Sequence, residues 1–140
     1  MSANNRHTGT AIIMVAVLLA PVALGAEGTP QPKPKAIQVS PLATEGAPVL
    51  GGPPETVTMR SGSIALHGGK NVGRHSTGGN EEVLFVFSGS GEMRLSDGTI
   101  LQLKPYVIAY CPPDTEHDVF NTGGEPLRYL PVAEEGCRIS

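Results

Sequence analysis

The chain has no tryptophan, and its aromatic content is only 4% of 140 residues. With 18 glycines and 13 prolines set against so few rings, the composition favours many turns and short strands over long helices. No stretch of useful length carries the 3.6-residue periodicity of an amphipathic helix. Lysine and arginine are nowhere clustered and the net charge is −3, so electrostatics point neither to nucleic acid nor to an anionic membrane surface. There is no G-x-S-x-G nucleophile turn. The "GGKN" stretch at Gly68–Asn71 lacks the hydroxyl residue and glycine spacing of a phosphate-binding loop. The two cysteines, Cys111 and Cys137, allow at most one bridge in an oxidising compartment. Spacing does not bring them together, and Cys111 lies in an apolar run where a free cysteine is a common core filler.

One apolar run stands apart. "AIIMVAVLLAPVAL" follows Arg6, is broken by Pro21, and leads to small residues at Ala23 and Gly25. It falls short of the ~20 residues needed to span a bilayer comfortably, and no cysteine follows it to carry a lipid. Residues 1–25 are therefore expected to be a cleaved export signal. The mature protein is expected to be periplasmic or secreted, with no stable membrane anchor after processing. Residues 26–54 hold seven prolines, at positions 30, 32, 34, 41, 48, 53 and 54. This segment reads as an extended, solvated linker, in which "AIQVSPL" is the one stretch able to add an edge strand.

Residues 55–140 then form the folded domain, and its pattern is that of strands. "ETVTMRSGSIALHGG" gives two short runs with a Ser-Gly break, followed by "EVLFVFS", "EMRL", "TILQL", "YVIAYC", "HDVFN" and "LRYLPVA". Asp97-Gly98 between "EMRL" and "TILQL" is a hairpin signal, because both residues tolerate positive φ. About seven or eight short strands with turns at this spacing predict an all-β sandwich or barrel. "EVLFVFS" and "YVIAYC" are apolar on both alternating faces, which predicts cover on the second face. Another sheet, the N-terminal arm or a second subunit can give that cover, and for so small a domain a homodimer is expected.

Polar residues gather just ahead of "EVLFVFS". His75 and Thr77 lie on one side of a strand, "GGN" makes a turn, and Glu82 opens the next strand on the face of Leu84 and Val86. Histidine and carboxylate can then converge across a hairpin, and His117, after the turn "CPPDTE", can supply a third group. Two histidines and one glutamate around one point make a facial metal site with open positions. Tyr106 and Tyr110 share a strand face and either line the barrel mouth or pack the core.

These residues resemble the motifs of the cupins, small double-stranded β-helix or jelly-roll barrels. The first motif, G-x5-H-x-H-x3–4-E-x6-G, is met by Gly69, His75, Glu82 and Gly89, with Thr77 in place of the second histidine. The second, G-x5-P-x-G-x2-H-x3-N, is met by Pro112, His117 and Asn121, with Tyr106 and Asp114 where glycines belong. The resemblance spans roughly residues 55–133. It implies a divalent ion (Fe, Mn, Ni, Cu or Zn) held by His75, Glu82 and His117, with Thr77 or Tyr110 as a substrate contact or weak fourth ligand. His67 is the alternative fourth ligand, though its glycine neighbours read as a surface loop. Two functions remain open: a metal-dependent oxygenase, lyase or isomerase acting on a small organic molecule, and a non-catalytic small-molecule binder whose metal site is weakened or lost. A purely structural barrel is disfavoured, since burying unpaired histidine and glutamate costs several kcal/mol.

Overall fold

The computed structural model describes residues 31–40, 47–134 and 136. The expected export signal, Cys137 and part of the linker lie outside these residues, and residues 31–40 carry no strand. The described residues form nine strands: β1 (Ala47–Gly51), β2 (Met59–Leu66), β3 (His75–Ser76), β4 (Glu82–Ser88), β5 (Gly91–Leu95), β6 (Ile100–Leu103), β7 (Ile108–Cys111), β8 (Glu116–Asn121) and β9 (Leu127–Glu134). They build two antiparallel sheets, ordered β1-β2-β9-β4-β7 and β3-β8-β5-β6.

Alternation decides which side chains meet between the sheets. On β4, Glu82, Leu84 and Val86 are buried while Val83, Phe85 and Phe87 are only half-buried. On β7, Ala109 and Cys111 are buried while Ile108 and Tyr110 are exposed. Leu84 and Val86 meet Met93, Leu103, Val119, Leu127 and Tyr129 in one continuous core. Each such apolar side chain contributes roughly 1.5–3 kcal/mol on full burial. The core therefore fixes the relative position of the sheets, and with it the place where Glu82 faces β3 and β8.

Three local features differ from the sequence reading. The run at residues 55–66 is not broken at Ser61-Gly62, because β2 passes through both and Ser61 and Ser63 are buried in its ladders to β1 and β9. The added edge strand is β1, at residues 47–51, and it pairs with β2. His75 does not return through a hairpin onto the strand of Glu82. β3 pairs with β8 in one sheet, while β4 belongs to the other.

The turns explain the motif glycines and the two departures from them. Gly69 and Gly89 have φ of 72° and 84°, and Tyr106 and Asp114 share that left-handed region at 68° and 56°. Lys104 O accepts from Val107 N at 3.1 Å, so Lys104–Val107 is a turn with Pro105 in its second place and Tyr106 in its third. A positive φ is required at that third place in a type II turn, and glycine usually supplies it. Asp114 tolerates the conformation better than the bulky Tyr106 does.

Two glycines separate steric crowding from backbone preference. A Cβ on Gly91 would lie 2.3 Å from Phe120 O, whereas a Cβ on Gly98 would meet nothing within 4 Å, its φ of +89° being the sole obstacle. Gly91→Ala is expected to cost about 3 kcal/mol, the upper part of the usual overpacking range. Gly98→Ala is expected to cost about 1 kcal/mol. Chemical denaturation of both variants checks the order, and equal losses would refute this packing of β5 against β8.

Candidate metal centre

The site begins with a cross-strand pair. His75 on β3 stands opposite His117 on β8, with ring centroids 4.3 Å apart and planes inclined by 59°. Glu82 enters from the facing sheet. Its Oε2 lies 3.3 Å from Nε2 of His117 and 3.8 Å from Nε2 of His75. One donor atom from each of the three residues falls within 4.8 Å of the others. All three side chains are almost wholly buried, at 0% exposure for His117, 4% for Glu82 and 8% for His75.

The ring orientations are set by the backbone. Nδ1 of His75 lies 3.0 Å from Gly73 O, and Nδ1 of His117 lies 3.3 Å from Thr115 O. Each ring places its proton on Nδ1 to donate to that carbonyl, which leaves the Nε2 lone pair available to a ligand. Neither Nε2 has a hydrogen-bond partner among the described residues. The Glu82 carboxylate faces both of them. Asp118, itself buried, holds the loop before β3 by accepting from Gly73 N at 3.0 Å and from Asn71 Nδ2 at 2.7 Å. Asn121 secures the far end of β8, donating to Leu66 O at 2.7 Å and to Glu125 O at 2.8 Å.

This donor set suits a divalent ion. Donors bound at about 2.1 Å to one ion lie roughly 3–3.5 Å apart. The His117–Glu82 separation is already in that range, and the His75–Glu82 separation needs only a small closure. Burial works to raise the Glu82 carboxyl's pKa, but the imidazoles of His117 and His75 outweigh it and hold the group below its ordinary value. Burial works to lower that of His117, while the Cys111 thiol and the Glu82 carboxylate outweigh it and push it up to about 10. Both directions favour a positive charge beside the carboxylate, which a bound divalent ion would supply.

The other residues singled out in the sequence have different work. Thr77 is buried, but its hydroxyl donates to Pro112 O at 2.9 Å and accepts from Thr115 N at 3.0 Å. It bridges the turn that delivers His117 and is committed to the backbone. Tyr110 lies on the outer face of β7, 49% exposed, and its hydroxyl donates to Glu81 at 2.5 Å. It points away from the trio, because Ala109 and Cys111 take the inward positions of β7. Tyr106 is 81% exposed and does not line the interior, and His67 is exposed. Cys111, read from sequence as core filler, is fully buried directly across the ladder from Glu82. Strand alternation on "YVIAYC" gives its inward side, but its nearness to Glu82 follows from the β4–β7 register.

Comparison with known proteins agrees with this fold. The family described as "Cupin domain" matches residues 62–133. A Cupin 2 conserved barrel domain protein from Salinispora arenicola superposes with a TM-score of 0.59 at 19% identity, covering 73% of this chain and 92% of that one. A double-stranded β-helix protein from Klebsiella pneumoniae gives 0.58 at 24% identity, with the same coverages of 73% and 92%. The cupin domain of Cnp3 from Schizosaccharomyces pombe gives 0.58 at 16% identity, covering 64% of this chain. This chain spans 63% of that domain's length. At these identities the likeness is one of fold. No match was found among curated proteins.

Thr77→Val keeps the shape of the side chain and removes both hydroxyl hydrogen bonds. It leaves Pro112 O and Thr115 N without their partner, at an expected cost of about 2 kcal/mol in stability. Thr77→Ser retains the hydroxyl and is expected to recover most of that loss. Thermal or denaturant unfolding of the pair checks it. Equal stability of Thr77→Val and the parent would show that the hydroxyl does not hold this turn.

Proposed function

The chain belongs to the Cupin domain family, and from that premise we propose that it binds one divalent metal ion through His75, Glu82 and His117 and uses it to hold and activate a small organic molecule. The observation that carries this reading is the pair of buried Nε2 atoms without a hydrogen-bond partner, facing a buried carboxylate across the two sheets. A polar group left unsatisfied in the interior costs about 1–3 kcal/mol, and coordination supplies the missing partner for both rings at once.

A bound ion would act as a Lewis acid toward an oxygen of the small molecule. Each protein group contributes separately. The carbonyls of Gly73 and Thr115 fix the two imidazoles, so the donor atoms are oriented before any ligand arrives. Glu82 supplies the negative charge that favours a cation in this buried place. The apolar side chains of the core keep bulk water from the inner side of the trio, where electrostatic attraction is then stronger. Three protein ligands leave coordination positions for a substrate, in keeping with an oxygenase, lyase or isomerase.

Elemental analysis of the purified protein, beside His75→Ala/His117→Ala, checks the metal. Near-stoichiometric Fe, Mn, Ni, Cu or Zn is expected in the parent and none in the double variant. Equal trace metal in both would sink the reading. The raised pKa of His117 adds a direction. Below about pH 10 the ion must displace a proton from this ring, so affinity is expected to rise with pH, by about tenfold per unit for one proton displaced. Competition with a chelator at about pH 6 and about pH 8 measures that slope, and a flat dependence would count against His117 as a ligand.

The same reading includes pairing with a second copy. Val83 pairs with Tyr110 and with Val132, and Phe85 pairs with Ile108, so these side chains share the outer face of one sheet. Ile108 is 64% exposed and Tyr110 49%. Burying that apolar face against its own copy satisfies a domain with a small core. Light scattering at micromolar concentration is expected to give twice the chain mass, and Ile108→Lys to halve it. A parent protein of single-chain mass would exclude the dimer.

A further inference from the structure

The three nitrogen and oxygen donors have two sulfur atoms beside them. Cys111 is the cross-strand partner of Glu82, so the two side chains leave neighbouring strands on the same inward face. Its Sγ lies 3.2 Å from Sδ of Met93, and both residues are completely buried. Met93 sits on β5, which pairs with β8 and brings Leu95 opposite His117. The sulfur pair thus belongs to the wall that adjoins the trio. Thr77 is spent on the backbone and donates nothing to an ion, and the wholly buried Nε2 of His117 has no hydrogen-bond partner.

We propose that Cys111 is a further donor to this centre, backed by Met93, and that the site favours a soft ion, copper(I), over a hard one such as manganese(II). The inference rests on the metal-binding reading given above and extends it from a divalent ion to the monovalent copper(I). Thiolate and thioether sulfur prefer copper(I), imidazole also suits copper, and manganese prefers oxygen-rich surroundings. A cysteine has one side-chain torsion, so turning about it carries Sγ from Met93 toward the trio without moving the strand. On coordination the thiol gives its proton to solvent and a sulfur lone pair forms the bond to the ion. No oxidant or reductant is needed.

The test loads the whole protein with cobalt(II) without oxygen, then measures copper(I) and manganese(II) affinity by chelator competition. The cobalt protein is expected to show a near-ultraviolet sulfur-to-metal charge-transfer band. Cys111→Ser is expected to lose that band while keeping the visible ligand-field bands that His75, Glu82 and His117 produce. The ratio of copper(I) to manganese(II) affinity is expected to fall by about tenfold or more in Cys111→Ser, and by less in Met93→Leu. Ligand-field bands without the sulfur band in the parent, or an unchanged ratio in Cys111→Ser, would overturn the role of Cys111 and leave the metal site standing. A parent protein that takes up none of the three ions would overturn this inference, and one that also holds no iron, nickel or zinc would overturn both. Should Cys111→Ser fail to fold, the parent's cobalt spectrum and the Met93→Leu ratio decide the matter.

Discussion

The structure turns on two imidazole nitrogens that are kept dry without a hydrogen-bond partner. A folded chain ordinarily avoids this, because a buried polar atom forfeits its bonds to water and must recover them inside. Here the opposite nitrogen of each ring is tied to a backbone carbonyl, so neither ring can turn to satisfy the free one. The Glu82 carboxylate lies close enough to both rings to attract positive charge between them. A cation bound there would offset that cost for both rings and the carboxylate together.

Holding that arrangement requires both sheets and the turns at their ends. The core between β4, β5, β8 and β9 sets how far Glu82 stands from the histidine pair. The turn before β8 sets where His117 begins, and Thr77, just past the end of β3, clamps it. In the resemblance that the sequence carries, Thr77 stands where a histidine ligand belongs, and its side chain serves the backbone here. A donor position has become a brace. The same trade is seen at Tyr106 and Asp114, which adopt left-handed backbone at positions where the motif has glycine. The turn geometry is kept although the residue best suited to it is absent, since the ladders on either side fix the chain's path.

The barrel interior is not uniform. Its nitrogen and oxygen donors lie toward the turns that carry His75 and His117, and its centre is aliphatic. Cys111 and Met93 occupy the boundary between these parts. A sulfur pair in that place is ordinary filling by volume, but it borders the group formed by His75, Glu82 and His117. That position, rather than the presence of a cysteine, gives Cys111 its interest.

The sequence by itself determined the strand content, the inward face of β4 and the three residues that come together. Strand alternation and turn residues are local properties, and "EVLFVFS" matches β4 residue for residue. The order of histidines, glutamate and turn residues along the chain was equally legible, since a motif is a pattern of spacing. Tertiary structure alone decided how those donors meet. His75 pairs with His117 and reaches Glu82 across the gap between sheets, where the sequence suggested a hairpin. It also decided that Tyr110 faces outward, that the Thr77 hydroxyl is consumed by a turn, and that Cys111 stands beside Glu82. The physical reason is the same in each case. Alternation tells which face a side chain takes, but the register between strands distant in sequence, set by the packing of the whole core, tells what lies opposite it.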